Sequence, residues 1–260
     1  MLNILRYSFF DLMRSRWSYF YFAFYLILSF ALLFLNSSLP KAIITLMNMI
    51  IILTPLIGTV FGVMYYYSSR EFTELLLAQP VKRSTLFLGQ YLGIAVSLSL
   101  SLVLGLGIPF LIYGLFQSGE ILNFAFLLVD GVLLTFTFVA IAFIISLYHD
   151  NKIKGFGYAI LTWLFFAVIY DGLFLVALLV FEEYPLDSFS LIATTLNPID
   201  LSRILILLKL DISALLGYTG AVFQQFFGTT WGLTLSLVSL TAWVLIPVSL
   251  IVRMCKRKDF

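Results

Sequence analysis

Apolar residues run through this chain in blocks, and the polar residues collect in the short pieces between them. A membrane helix takes about 20 apolar residues to cross about 30 Å of hydrocarbon. Six blocks reach that length: Trp17–Leu35, Ala42–Tyr67, Leu86–Phe116, Ile121–Tyr148, Gly155–Phe181 and Trp231–Val252. The third is too long for a straight crossing, since its 31 residues at about 1.5 Å each make about 46 Å. Gly105, Gly107 and Pro109 near its outer end predict a kink or break there. The first block is too long for a signal-peptide core, and Asn36–Pro40 after it is no cleavage site, so it is expected to stay in place. The pattern predicts an all-α integral membrane protein: a single transmembrane domain over residues 1–260 with six spans.

The connecting pieces carry their own patterns. Within residues 1–16, Leu2, Leu5, Phe9, Leu12 and Met13 recur at helical spacing beside Arg6, Asp11, Arg14 and Arg16, which predicts an amphipathic helix in the membrane interface. Between the second and third spans, residues 68–83 predict a short helix with Glu71 and Glu74 in its first turns, an apolar side at Leu75–Leu77, and a stop at Pro80. Such a helix can dock into a cytoplasmic partner or simply lie in the interface. The segment Glu182–Thr230 is too polar to span. In it, Asn197-Pro198-Ile199-Asp200 reads as a capped helix start, followed by Leu201, Ile204, Leu205 and Leu208 on one face. The expectation is an outer helical segment that either lids the bundle or docks a partner through Asn197, Asp200, Arg203 and Lys209.

Composition agrees with the blocks. Apolar residues make up 62% and charged residues 11% of 260 residues, and the mean hydropathy is +1.08. A soluble domain averages about 45–50% apolar and about 25% charged, so a soluble enzyme, a disordered tail and a disulfide scaffold are excluded. A net charge of +2 implies no nucleic acid. Lys and Arg divide 12 to 3 between alternate sides of the six spans, which places both termini in the cytoplasm.

Two carboxylates fall inside spans, Asp130 and Asp171, each about equally far from its outer boundary at Glu120 or Glu182. Intramembrane carboxylates are costly and face protein or water. They could share a proton, line a polar path, or hydrogen-bond to a neighbouring helix. The single Cys255 and single His149 supply no metal or thiol cluster. No phosphate-binding Gly-x-x-x-x-Gly-Lys loop, zinc-protease motif or serine elbow occurs, so catalysis and a cofactor of its own are not expected.

Ile4-Leu5-Arg6 and Asp11-Leu12-Met13-Arg14-Ser15-Arg16-Trp17 resemble the N-terminal helix of the ABC-2-type transporter permeases. The run Glu71-Phe72-Thr73-Glu74-Leu75-Leu76-Leu77-Ala78-Gln79-Pro80-Val81-Lys82-Arg83 resembles that family's coupling helix. Phe72-Thr73 stands where Gly-Thr-Leu is usual, so the match lies in the half from Glu74 to Arg83. Tyr170-Asp171-Gly172-Leu173 and Asn197-Pro198-Ile199-Asp200-Leu201-Ser202-Arg203 resemble the branch that matures nitrous oxide reductase, as does the long segment before the last span.

The resemblance implies a permease subunit in a bacterial cytoplasmic membrane, with ATP and Mg held by a separate ATPase. It implies coupling through Glu71, Glu74, Leu75, Leu76, Gln79, Pro80, Lys82 and Arg83, a dimer of permeases on a dimer of ATPases, and a periplasmic β-helical partner. It further implies delivery of a sulfur species or copper to the reductase's copper centres. Other readings of the residues remain: a generic exporter of lipid or drug-like molecules, a permease that passes motion without flux, or a proton-coupled carrier using Asp130 and Asp171.

Overall fold

Each apolar block folds as helix, because in lipid every backbone N–H and C=O must find its partner within the segment. The computed structural model describes residues 2–14, 16–36, 38–78, 82–181, 186–209 and 230–257. Six stretches in it are long and apolar enough to cross a membrane: Ser18–Leu35, Leu39–Ser68, Arg83–Ile112, Ile121–Tyr148, Lys152–Val180 and Gly232–Lys256. The chain is an all-α, six-span membrane protein, as its apolar blocks predict.

Ahead of the first span lies α1 (Leu2–Arg14), and α2 (Arg16–Leu35) forms that span. The second span is α3 (Leu39–Ser68), followed by the short α4 (Arg70–Leu77) and then the third span α5 (Arg83–Ile112). α6 (Ile121–Tyr148) is the fourth. The centre of the bundle is α3, α5 and α6, whose buried Leu46, Ile50, Leu98, Leu102, Leu134 and Phe138 belong to one continuous core. Glycines set the spacing. A Cβ at Gly62 would lie 2.7 Å from Ala142 Cβ, so α3 and α6 can touch there only because Gly62 has none. One at Gly105 would lie 2.8 Å from Tyr25 Cβ, which brings α2 against α5 in the same way.

The expected break at Gly105–Pro109 is not there. α5 runs unbroken through it, ends at Ile112 and turns through Gly114 at a φ of 86°. Gly105 serves helix packing, and Pro109 lies inside the helix, where its missing N–H withholds from the Gly105 carbonyl its usual donor without ending the helix. The irregularity sits in the fifth span, which consists of α7 (Lys152–Leu164), a π turn (Phe165–Ile169) and α8 (Tyr170–Val180). No proline or glycine in that turn announces it.

After the fifth span come α9 (Asp187–Thr195) and α10 (Pro198–Lys209), bent by 114°. Phe189 stacks on Phe174, Ala193 meets Tyr170, Asn197 meets Phe166, and Arg203 then meets Asp171. In this register α9 runs down beside α8 and α10 climbs back, so the pair is a re-entrant hairpin whose elbow lies level with the π turn. The last span is α11 (Thr230–Arg257). The coupling expectations at Gln79 and Pro80 and most of the segment beyond Lys209 lie outside the described residues.

Candidate functional site

The candidate coupling site is α4. Its first turn follows Ser69, and Arg70 Nε donates to Glu74 Oε1 at 2.8 Å across one helical turn. That hydrogen bond, with the Glu74 charge, holds the Arg70 guanidinium above its ordinary pKa. Thr73 is the helix's one buried residue. Its hydroxyl donates to the Ser69 carbonyl and accepts from Gln90 Nε2 of α5, both at 2.8 Å. Phe72 stacks on Tyr7 of α1 with ring centroids 4.7 Å apart. Arg70 also donates to the Asp150 carbonyl in the loop after α6, and Tyr67 donates to the His149 carbonyl there.

α4 is therefore tied on its inner side to α1, α5 and the loop between α6 and α7. Its outer side carries Glu71, Glu74 and Leu75, the last 70% exposed, with Leu76 half-buried. Lys82 and Arg83, both exposed, open α5. The arrangement can transmit a push: a partner seated on the outer face would move α1, α3 and α5 through contacts already made. The sequence reading found the outer residues and missed the ties. Gln90, an amide inside an apolar block, was the available signal, as was the helical spacing of Arg70 and Glu74.

Within the membrane the polar groups gather around α10. The Asn197 side chain caps it, with Oδ1 accepting from the Ile199 N–H at 3.0 Å. Its Nδ2 donates to the Phe166 carbonyl at 2.9 Å and to Asp200 Oδ2 at 2.7 Å. Tyr170 donates to the Ala193 carbonyl at 2.6 Å, and Trp243 Nε1 of α11 to the Thr195 carbonyl at 3.0 Å. The elbow is thus pinned from two spans. Arg203 pairs with Asp171 at 2.8 Å and with Asp200 at 3.5 Å. Asp200 sits in the first turn, where a negative charge offsets the helix dipole.

Asp130 is buried in α6 beside Ser202 of α10, and neither its carboxyl oxygens nor the Ser202 hydroxyl makes a hydrogen bond. The two intramembrane aspartates therefore meet neighbouring residues of α10, Ser202 and Arg203. The docking expectation for this helix needs correction. Asn197 and Asp200 are buried and turn their polar atoms into the bundle, because apolar residues are spread around the whole of α10 and leave it no broad polar face to present to water. Arg203 is largely engaged as well, and the Lys209 side chain lies outside the described residues. Among the described residues, no three His, Cys, Asp or Glu side chains gather as a metal site.

A comparison with protein-family profiles gives no match. The chain is 27% identical over 220 residues to the "Probable ABC transporter permease protein NosY" of Stutzerimonas stutzeri, covering 78% of this chain and 79% of that protein. It is 32% identical over 186 residues to the protein of the same name from Pseudomonas aeruginosa, covering 68% of this chain and 67% of that one.

Proposed function

We infer the function from one premise: the chain belongs to the NosY-like ABC transporter permeases. It is the membrane subunit of such a transporter, and hydrolysis of ATP falls to a separate chain. In our reading that chain is a cytoplasmic ATPase of the NosF kind, present as a dimer beneath two copies of this permease in the bacterial cytoplasmic membrane. Both termini lie in the cytoplasm, in keeping with the 12 to 3 division of Lys and Arg.

The observation that carries the reading is the outer face of α4, with Glu71, Glu74 and Leu75 exposed on a helix tied to α1 and α5. Closure of the ATPase dimer on ATP would press on that face. Gln79, Pro80, Lys82 and Arg83 would complete the contact. The motion would reach the elbow at Asn197 through α3 and α6, both of which pack against α10.

On the outer side the complex would serve the copper centres of nitrous oxide reductase, by exporting a sulfur species or by a copper handover with a NosD-like β-helical partner. Likeness to NosY supports this role. The test is co-purification and ATPase coupling. Leu75→Asp combined with Glu71→Lys should leave a folded permease that no longer retains the ATPase. Normal retention and normal coupling in that variant would overturn the docking assignment.

A further inference from the structure

The outer ends of α5 and α6 leave a groove of about 300 Å³ between them. Leu104, Gly107 and Leu111 of α5 line it with Phe124 and Leu128 of α6, and Phe116 joins them from the connecting turn. Every lining residue is apolar. The groove has a fixed base, because Phe110 stacks on Phe124 with ring centroids 4.5 Å apart and both rings are buried. Its open side is marked by Leu104, Leu111 and Phe116, all exposed. Gly107 keeps it open: among the described residues, no atom lies within 4 Å of where a Cβ would be.

Water has no place in such a groove, since an ordered water needs several polar partners and the lining side chains offer none. Left empty, the groove would forfeit the dispersion contacts its walls can make. It lies along two spans, where the surrounding solvent is hydrocarbon. Its mouth is the turn from Tyr113 to Asn123, which carries one charged residue, Glu120, and no Lys or Arg. Glu120 Oε2 accepts from Asn123 Nδ2 at 2.7 Å, and the Glu120 carbonyl accepts from the Phe124 N–H. The carboxylate is thereby held one helical turn before the ring that forms the base of the groove.

We propose that this groove holds one acyl chain of a phospholipid whose headgroup ends in a primary ammonium, of the phosphatidylethanolamine kind, with that ammonium paired to Glu120. The apolar walls take the chain, and the carboxylate at the mouth selects the headgroup. A charge-assisted hydrogen bond from ammonium to carboxylate is among the stronger ones, whereas an anionic headgroup would meet a like charge. The site stands whichever cargo the permease moves.

The experiment uses the full chain, purified in mild detergent and supplied with equal amounts of phosphatidylethanolamine and phosphatidylglycerol bearing the same chains. After a detergent wash, native mass spectrometry counts the lipid retained. The expected result is a single phosphatidylethanolamine per chain, with phosphatidylglycerol retained severalfold less. Equal retention of the two, or detergent alone in the groove, would overturn the proposal.

Gly107→Leu fills the groove from α5 and should lower lipid retention severalfold, with elution and thermal midpoint unchanged. Where that variant does not accumulate, Ala125→Leu fills the groove from an exposed position on α6. Undiminished lipid in a folded groove-filling variant would overturn the site. Loss of a dimer in that variant would show that a second copy of the chain, not lipid, occupies the groove, and would overturn it as well. Glu120→Lys should keep the chain bound and turn the preference toward phosphatidylglycerol; an unchanged preference would overturn the pairing with Glu120.

Discussion

The helices α4 and α10 are built alike and end in opposite places. They have 8 and 12 residues, each has an acid in its first turn, and each carries an arginine paired with a carboxylate. α4 lies outside the bundle with one residue buried. α10 lies inside it, with Ile199, Leu201, Ile204, Leu205, Ile206 and Leu207 all buried. The difference is in how the apolar residues are distributed around the axis. In α4 the charged and polar residues keep one side open to water. In α10 the apolar residues occupy every side, and such a helix has no surface on which to lie. The two arginine pairs then do different work. Arg70–Glu74 is half in water and screened, while Arg203–Asp171 anchors a helix at membrane depth.

The largest expected effect comes from placing the same charge in both helices. Leu201 is fully buried and packs in a cluster with Leu205 and Leu240. Leu201→Asp would bury a carboxylate with no partner, at a cost of several kcal/mol, and should leave no monodisperse protein on size-exclusion chromatography in detergent. Leu75→Asp on α4 should change the melting behaviour by no more than about 0.5 kcal/mol. If Leu75→Asp destabilised the protein as Leu201→Asp does, the contrast between an open and an enclosed helix would fail.

A smaller effect is expected at the elbow. Asn197→Ala removes the cap on the Ile199 N–H and the donor to the Phe166 carbonyl. Loss of a cap and of a buried hydrogen bond together should cost about 2 kcal/mol, read as a lower thermal midpoint. Asn197→Ser keeps a capping oxygen and should recover part of that loss. A full recovery would mean that the tie to the π turn contributes nothing.

The asparagine also marks what could be read from the chain beforehand. Its capping role follows from Asn-Pro-Ile-Asp alone, and the helix start is where that pattern places it. Its depth does not follow, because counting one face at Leu201, Ile204 and Leu205 overlooks Ile199, Ile206 and Leu207 on the other. Those residues were legible, and weighing the whole circumference would have sent α10 inward. The π turn was not legible, since Phe165–Ile169 contains no breaker and the turn is completed by a hydrogen bond from a distant asparagine. The six spans were legible because each is a long apolar block, a signal that does not depend on tertiary contacts. The exposed residues of α4 were visible in the pattern, whereas the Tyr7, Gln90 and Asp150 ties depend on packing between segments far apart in sequence.

On α4 itself the expected effects are smaller again. Thr73→Val keeps the shape but leaves Gln90 Nε2, a buried amide, without its acceptor. That should cost about 1 kcal/mol and loosen α4 from α5. Its signature would be ATPase retained but less responsive to the permease, the opposite of Leu75→Asp.

The smallest stability effect belongs to Glu74→Gln. Both partners of the Arg70–Glu74 pair are about half exposed, and pairs at this helical spacing contribute about 0.3–0.5 kcal/mol. Thermal stability should therefore hardly move, and raising the salt concentration should erase what difference there is. The amide oxygen that replaces Oε1 can still accept from Arg70 Nε, so the Arg70 guanidinium would lose only the opposing charge, while its bond to the Asp150 carbonyl and the burial of Thr73 remain. If Glu74 matters chiefly as part of the outward face, ATPase stimulation by the permease should fall although the fold is untouched. If it matters only as the mate of Arg70, stimulation should stay normal in Glu74→Gln and fall in Arg70→Gln, which also cuts the tie to the neighbouring loop. Measuring both variants in the same reconstituted complex separates a residue that touches the partner from one that stiffens the helix presenting it.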